Sequence, residues 1–189
     1  MNPITKVDIQ ILDFIQRYIG CEFLDNALPI ITKLCDHGLV PIVAAVILLT
    51  IPRTRRIGLS MGIAFICGGL IGNLFLKNVV ARIRPYDLTN FDIIIERLSD
   101  YSFPSGHTLI AFETAIVLLI LLKGRKQSIA IMTTVLASII AFSRLYLYVH
   151  YPTDVLAGII LGLVFGVIGT KLGGYIVDRL ERKSSEDQR

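Results

Sequence analysis

The chain has 189 residues, of which 53% are hydrophobic and 18% are charged, and its mean hydropathy is +0.67. Average soluble domains carry roughly 25% charged residues, so this composition excludes an ordinary soluble domain and indicates an integral membrane protein. The formal net charge of +4 is informative only through the positions of the charges, and we expect no nucleic-acid partner.

The first 25 residues lack the basic segment and uninterrupted apolar run of a cleavable signal. Apolar residues recur at helical spacing from Ile4 to Tyr18, with polar residues such as Asp8 and Asp13 between them. This pattern predicts an amphipathic helix within residues 1–25 that lies in the membrane interface or caps a bundle. A sixth membrane span formed by these residues is the alternative.

Five apolar stretches follow, and each is long enough, or can be extended, to cross a hydrocarbon core of about 30 Å. They cover residues 38–51, 57–76, 108–122, 128–142 and 155–177. The predicted fold is therefore all-α, an integral membrane bundle of about five transmembrane helices in a single domain over residues 1–189. Glycines recur every four positions in the last stretch, which is typical of closely packed membrane helices.

Clusters of Lys and Arg lie at residues 53–56, 123–126 and 179–183. With five spans, all three clusters fall on the same side of the membrane, and the positive-inside rule makes that side cytoplasmic. The loops 77–107 and 143–154 then face outward, whereas residues 180–189 form a cytoplasmic tail. We expect a multi-pass protein of the plasma membrane.

Charged residues near membrane depth are costly and mark functional sites by default, and several gather at the outward helix ends. Lys77 and Arg84 follow the second stretch, and Arg144 follows the fourth. Arg binds phosphate oxygens in a bidentate manner, and Lys adds a point charge. Just before the third stretch, Ser105 adds a hydroxyl, and Gly106 lets the backbone approach an anion at a helix N-terminus. Together these residues predict a phosphate-binding cradle.

Two histidines stand beside this cradle. His150 and Asp154 are four residues apart, so that in a helix the carboxylate would meet the ring, fix its tautomer and leave one nitrogen as a nucleophile. His107 directly follows the cradle and is placed to protonate a leaving group. The pattern predicts attack on phosphorus by His150, a phosphohistidine intermediate and its hydrolysis by water. No cofactor or metal is expected, because the cations already neutralise the phosphoryl oxygens.

The three segments resemble the type 2 phosphatidic acid phosphatase family, which shares its site with vanadium haloperoxidases. The family pattern K-x6-RP, PSGH and SR-x5-H-x3-D stands at residues 77–85, 104–107 and 143–154, so residues 77–154 carry the active-site motifs. The resemblance implies phosphate binding by Lys77, Arg84, Ser105, Gly106 and Arg144, and catalysis by His107, His150 and Asp154. It also implies a membrane enzyme that hydrolyses a lipid phosphate without metal on the side of the outer leaflet.

The resemblance implies undecaprenyl diphosphate as the first substrate to consider, with phosphatidylglycerol phosphate and phosphatidic acid as alternatives. A non-enzymatic, anion-binding transporter is a different class of protein, but binding alone needs only the cations and not two histidines with a carboxylate. A haloperoxidase is disfavoured because those relatives are soluble. The sequence leaves the oligomeric state open.

Several polar residues near these motifs are interpreted as interfacial anchors, helix-end residues, interfacial aromatics or a solvated loop face. Arg82 is the interfacial anchor, and Asp36 and His37 are the helix-end residues. Tyr146, Tyr148 and Tyr151 are the interfacial aromatics, and Asp100 belongs to the solvated loop face. Glu113 lies about two turns below His107. It is either hydrogen-bonded inside the bundle or supports the site from below.

Overall fold

The computed structural model describes residues 1–186, and its regular structure is helical, with no strand among these residues. In chain order, the α-helices are α1 Pro3–Ile19, α2 Glu22–Thr32, α3 Leu39–Thr50, α4 Arg55–Cys67, α5 Lys77–Val80, α6 Pro85–Thr89, α7 Gly106–Leu121, α8 Gln127–Tyr146 and α9 Pro152–Glu186. Short 3₁₀ turns occupy Lys33–Gly38 and Gly124–Lys126, and a π-helical segment occupies Gly68–Leu76. The predicted all-α fold is confirmed.

Four helical segments are long and apolar enough to cross a membrane, namely Glu22–Thr50, Arg55–Thr89, Gly124–Tyr146 and Pro152–Glu186. α7 is apolar but has only 16 residues, about 24 Å at 1.5 Å per residue. It is the central helix, because α4, α8 and α9 all pack against it, and the protein rather than lipid surrounds much of its length. The five predicted stretches correspond to α7 and the four long segments. The first long segment begins at Glu22, earlier than the predicted start at residue 38.

α1 is the predicted amphipathic helix, and one of its acids is buried against the protein. Its exposed apolar residues form a stripe of Ile4, Val7, Ile11, Phe14 and Tyr18. The opposite side buries Asp8 together with Leu12 and Ile15. An outward apolar stripe is expected of a helix that contacts lipid, so α1 combines a lipid-facing surface with an acid carried into the interior.

Glycines on one face of α9 bring this helix into close contact with α7. A Cβ on Gly158 would lie 2.8 Å from the Ser105 carbonyl oxygen, and a Cβ on Gly162 would lie 2.8 Å from that of Leu109. The interpretation of these glycines as packing residues is confirmed. The close contact also brings the starts of both helices together, since the Ser105 amide donates to the Asp154 carbonyl oxygen at 3.2 Å.

The two ends of the bundle differ in the residues that they carry. At the end that we call the basic end, Arg56 pairs with Asp178 at 3.1 Å, and Ile57 and Leu121 pack on one apolar cluster. All three basic clusters of the sequence therefore lie at this end. The predicted tail over 180–189 continues α9 as far as Glu186, and residues 187–189 lie outside the described residues. The opposite end, which we call the site end, carries α5, α6, the start of α7, the end of α8 and the start of α9.

Gly162→Ala is expected to destabilise the bundle, because the added Cβ would lie 2.8 Å from both the Leu109 carbonyl oxygen and the Phe112 Cβ. We expect a loss of about 1–3 kcal/mol, the usual cost of overpacking, measured by thermal unfolding in detergent. Gly62→Ala is the matched control, since a Cβ there meets no atom of residues 1–186 within 4 Å. Equal unfolding temperatures for the two variants would contradict the close packing of α7 on α9.

Candidate active site

The predicted site residues meet at the site end from four parts of the chain. Lys77 begins α5, and Arg84 precedes α6. The start of α7 carries Ser105, Gly106 and His107, and the last turn of α8 carries Arg144. The start of α9 lies between His150 and Asp154. Gly106 and His107 are partly buried, and the other six residues are buried. The fold therefore gathers residues spread over 78 positions of sequence, 77–154, into one largely enclosed site.

Arg84 and Lys77 share one acidic partner. The Nε and Nη2 atoms of Arg84 donate to the carbonyl oxygen and Oδ1 of Asp100 at 2.8 and 2.5 Å, and Nη1 donates to the Val149 carbonyl oxygen at 2.8 Å. Lys77 donates through Nζ to the other carboxylate oxygen of Asp100. A single carboxylate thus bridges the two cations.

Asp100 contacts two of the three cations that the sequence predicts to bind phosphate. Burial opposes its ionisation, but the hydrogen bond from Lys77 and the charges of Lys77 and Arg84 outweigh burial and lower the pKa of Asp100 to about 2. The carboxylate is therefore ionised at physiological pH. Its side chain remains 51% exposed, so it can move away when another anion arrives. The interpretation of Asp100 as part of a solvated face missed this contact.

Arg144 is the most enclosed of the three cations, with 1% of its surface exposed. Its Nη1 donates to the Thr32 hydroxyl at 2.8 Å, and its Nε has no hydrogen-bond partner among residues 1–186. A buried guanidinium without a carboxylate in contact is costly. The arrangement is typical of a cation that is completed by an anionic ligand.

The contacts of His150 fix its tautomer. Its Nδ1 lies 2.7 Å from the Ser102 carbonyl oxygen, and its Nε2 lies 3.4 Å from Nη1 of Arg84. A carbonyl oxygen can only accept and a guanidinium can only donate, so Nδ1 carries the proton and Nε2 carries the lone pair. Burial lowers the pKa of His150 to about 3 with help from the charges of Arg84 and Arg144, although Asp154 opposes the shift. The ring is therefore neutral, and Nε2 is available as a nucleophile.

The relation of His150 to Asp154 differs from the predicted one. His150 lies in the turn before α9 and Asp154 in its first turn, so the two residues do not share a helical face. The Oδ2 atom of Asp154 is 3.7 Å from Nδ1, beyond hydrogen-bond distance. Ser102 stands between them, because its carbonyl accepts the ring proton and its hydroxyl donates to Oδ2 at 2.5 Å. Asp154 therefore acts on the ring through its charge.

Arg82 is a partner of Asp154, and its interpretation as an interfacial anchor is wrong. Its Nη1 donates to Oδ1 of Asp154 at 2.5 Å, and its Nη2 donates to Oδ2 of Asp8 at 2.8 Å. The guanidinium also lies over the ring of Tyr151, 3.7 Å from its centroid. Arg82 thereby connects α1 to the carboxylate beside His150.

His107 contacts an acid that the sequence interpretation treated as a helix-end residue. Its Nε2 lies 2.8 Å from Oδ1 of Asp36, which belongs to the 3₁₀ turn after α2. The imidazole side chain is 17% exposed. His107, at the start of α7, and Asp36 are 71 positions apart in sequence, and no spacing pattern in the sequence relates them.

The start of α7 carries Ser105 and Gly106, which the sequence predicts to form a phosphate-binding cradle. Ser105 is fully buried, and its hydroxyl shares a hydrogen bond of 3.0 Å with that of Thr108. A Cβ on Gly106 would lie 2.8 Å from Oδ1 of Asn73, so glycine is what allows the π-helical segment to approach so closely. The first amides of a helix have no acceptor within the helix, and they carry partial positive charge. The amides of this helix start can therefore donate hydrogen bonds to phosphoryl oxygens.

The tyrosines that were interpreted as interfacial aromatics are buried instead. Each of Tyr146, Tyr148 and Tyr151 is 1% exposed. The hydroxyl of Tyr146 donates to Asp25 at 2.6 Å, and that of Tyr148 donates to Asp13 at 2.7 Å. They attach the N-terminal helices to the segment that carries His150.

Glu113 lies inside the bundle with 1% of its surface exposed. It faces Gly68, where the π-helical segment begins, and a Cβ on that glycine would lie 2.9 Å from the carboxyl carbon. Its Oε1 has no hydrogen-bond partner within residues 1–186. The predicted depth of Glu113 in the bundle is confirmed, whereas a supporting role for the site stays a hypothesis.

The arrangement can bind a tetrahedral oxyanion and attack it. Three cations and the amides of α7 surround the anion position, a neutral imidazole supplies a lone pair, and a second histidine can exchange a proton. Over residues 1–186, no group of three or more His, Cys, Asp or Glu side chains is arranged to hold a metal ion.

Comparison with known proteins gives matches to one family and to named phosphatases. The sequence profile of the PAP2 superfamily matches residues 53–177. An undecaprenyl-diphosphatase of Sulfolobus acidocaldarius is 38% identical over 128 residues, which are 67% of this chain and 59% of that protein. This chain thus spans about three fifths of the length of that relative. A decaprenylphosphoryl-5-phosphoribose phosphatase of Mycobacterium tuberculosis is 35% identical over 127 residues, 67% of each chain.

A solved structure has the same fold. The crystal structure of the transmembrane PAP2 type phosphatidylglycerolphosphate phosphatase from Bacillus subtilis superposes with a TM-score of 0.76 and 28% identity. The superposition covers 93% of this chain and 89% of that chain. The helical bundle described above is therefore the architecture of a known membrane protein.

Asp100→Asn is expected to tighten the binding of inorganic phosphate, because a neutral amide competes less well than a carboxylate for Lys77 and Arg84. We expect the dissociation constant to fall about threefold to tenfold, the scale of a partly exposed ion pair, as measured by calorimetry on the purified protein. Asp92→Asn, at an exposed acid of the same segment, is the matched control. Unchanged or weaker phosphate binding in Asp100→Asn would show that the carboxylate does not compete with the anion.

Proposed function

This chain belongs to the PAP2 superfamily, and from that premise we propose that it is a membrane phosphatase that hydrolyses a lipid phosphate or diphosphate. The observation that carries the proposal is the contact between the buried Arg84 and Nε2 of the neutral His150. A protein that only binds anions needs the cations. It does not need an imidazole held in the tautomer whose lone pair faces the anion position, nor a second histidine such as His107.

The first half of the proposed reaction forms a phosphoenzyme. Lys77, Arg84 and Arg144 bind the phosphoryl oxygens in place of Asp100, and their charge stabilises the transition state. The Nε2 atom of His150 attacks the terminal phosphorus, so that an N–P bond forms while the P–O bond to the leaving group breaks. The leaving group is the lipid alcohol for a phosphomonoester and the lipid monophosphate for a diphosphate. A proton from His107 goes to the leaving oxygen.

The second half of the reaction regenerates the enzyme. His107, now neutral, accepts a proton from water as the water oxygen attacks phosphorus and the N–P bond breaks. Inorganic phosphate leaves, and Asp100 can return to Lys77 and Arg84. The carboxylate of Asp154 stabilises the charge that His150 acquires when it is phosphorylated. The three cations supply the charge neutralisation, so the proposed reaction uses no metal.

The names of the relatives favour a polyprenyl substrate. The Sulfolobus relative is an undecaprenyl-diphosphatase, and the Mycobacterium relative is a decaprenylphosphoryl-5-phosphoribose phosphatase. We therefore take undecaprenyl diphosphate as the first candidate substrate. The structural neighbour from Bacillus subtilis supports phosphatidylglycerol phosphate as the second candidate, and phosphatidic acid offers the same phosphomonoester group.

The site end faces the outside of the cell in this proposal. The basic clusters lie at the basic end of the bundle, beside the Arg56–Asp178 pair. They cover residues 53–56, 123–126 and 179–183. The positive-inside rule places such clusters in the cytoplasm. A lipid headgroup in the outer leaflet of the plasma membrane would then lie level with the cations.

His150→Ala is expected to lower phosphate release from undecaprenyl diphosphate in detergent by about 10⁴-fold or more, because the variant lacks the nucleophile. The assay is run in EDTA, in which the wild-type protein should keep its full rate. Asp92→Asn serves as the control for purification and detergent. Turnover of His150→Ala near the wild-type rate would exclude His150 as the nucleophile, and a loss in EDTA that added metal restores would refute the metal-free reaction.

A cysteine at position 92, in a chain whose three native cysteines are replaced by serine, should react with an impermeant maleimide added outside intact cells. The reason is that residues 90–104 lie at the site end, which faces outward in this proposal. A cysteine at position 124, at the basic end, is the matched control and should react only after the membrane is permeabilised. The reverse pattern of labelling would invert the orientation.

A further inference from the structure

The histidine proposed as the general acid has a carboxylate partner that lies outside the three motifs. Oδ1 of Asp36 is 2.8 Å from Nε2 of His107. Asp36 precedes residues 53–177, the region that the family profile matches. The contact is therefore a feature of this chain's own N-terminal segment rather than of the motifs that define the site.

The backbone around Asp36 delivers its carboxylate to His107. Helical geometry breaks at Asp36, whose ψ is 125°, and both His37 and Gly38 have positive φ angles, 51° and 67°. The left-handed conformation is unfavourable for a residue other than glycine such as His37, so it persists only where other contacts compensate. A Cβ on Gly38 would lie 2.5 Å from Cδ1 of Ile110, which shows that the turn packs on the first turns of α7.

A second polar contact holds the same segment on the site. One helical turn before Asp36, the hydroxyl of Thr32 accepts a hydrogen bond of 2.8 Å from Nη1 of Arg144. Thr32 is 4% exposed. The segment thus contacts both Arg144 and His107, and its position relative to the site is fixed by two independent side chains.

The charges around His107 determine what Asp36 contributes. Burial disfavours a second proton on the ring, as do the positive charges of Arg144 and Lys77, and together they lower the pKa of His107 to about 4 although Asp36 opposes the shift. The carboxylate of Asp36 is in direct contact with Nε2 and favours the protonated ring. A carboxylate can only accept, so Nε2 carries a proton in both charge states of the ring. The nitrogen that can give up a proton is then Nδ1.

We propose that Asp36 is a positioning residue for His107. It holds the Nε2 proton and stabilises the imidazolium against Arg144 and Lys77, so that Nδ1 donates to the leaving oxygen. As the P–O bond breaks, the Nδ1 proton moves to that oxygen, and the ring becomes the neutral Nε2–H tautomer, still bonded to Asp36. The inference rests on the proposed function, because it assigns a partner to the acid of that reaction.

The contribution of Asp36 depends on the leaving group. A phosphomonoester releases an alkoxide, which departs only when it is protonated. A diphosphate releases a phosphate ester, which is already a stable anion. Weakening the acid should therefore slow the hydrolysis of a monoester much more than that of a diphosphate with the same lipid.

The test compares phosphatidic acid with diacylglycerol diphosphate, two substrates that share a lipid and differ in leaving group. For Asp36→Asn we expect kcat on phosphatidic acid to fall about tenfold or more, a part of the roughly 10²-fold to 10⁴-fold that general acid catalysis contributes, and kcat on the diphosphate to fall less than about threefold. Asp36→Glu should restore much of the loss, because it retains the charge. Asp25→Asn is the matched control, since it weakens a tether to Tyr146 on the same N-terminal segment and should affect both substrates equally.

A double variant tests whether Asp36 acts through His107. In a His107→Ala background, Asp36→Asn should cause no further loss on phosphatidic acid. Equal losses on the two substrates, or a further loss without His107, would overturn the inference. If only undecaprenyl lipids are hydrolysed, the same comparison is made between undecaprenyl phosphate and undecaprenyl diphosphate. A wild-type protein that hydrolyses none of these four lipids would refute the proposed function itself, and this inference with it.

Discussion

Three positive charges are buried at one end of an apolar helical bundle, and the rest of the site depends on this arrangement. Lys77, Arg84 and Arg144 are at most 9% exposed, and an unpaired charge in such a position costs several kcal/mol. Polar groups of other segments must therefore approach them. These groups are the carboxylate of Asp100, the Val149 carbonyl and the hydroxyl of Thr32. Burial, helped by the charges of Arg84 and Arg144, favours the neutral form of His150, and the same charges would attract a phosphoryl group.

The N-terminal 38 residues complete this site, although they precede the region that the family profile matches. Asp8 pairs with Arg82 beside Asp154, and Asp36 pairs with His107. These two acids of the N-terminal segment therefore contact a cation and a histidine that belong to later parts of the chain. The position of α1 at the edge of the site explains why this helix is amphipathic. Its apolar stripe is exposed while Asp8 is 2% exposed, so the helix is suited to contact lipid on one side and to supply a charge to the site on the other.

Hydropathy and charge were sufficient to predict the bundle, because a bilayer requires apolar helices of a limited length. The motif residues could also be predicted to converge, since they all lie at helix ends on one side. The contacts that were missed join distant positions. Arg82 and Asp8 are 74 residues apart, Asp36 and His107 are 71 apart, and Ser102 and His150 are 48 apart. Helical spacing relates only neighbours three or four positions away, which is why a direct contact between His150 and Asp154 was predicted and the intervening Ser102 was not.

The central claim is that Nε2 of His150 attacks phosphorus, because its lone pair is turned toward Arg84 while Nδ1–H is held by Ser102. Undecaprenyl diphosphate can be mixed with the protein and the reaction quenched in alkaline denaturant, in which a phosphorylated imidazole survives. ³¹P NMR of the denatured phosphoprotein then distinguishes the two ring nitrogens, and peptide mapping identifies the residue. The account predicts a phosphoryl group on Nε2 of His150. A phosphoryl group on Nδ1 of His150 or on His107, or the absence of any phosphoenzyme during turnover, would contradict it.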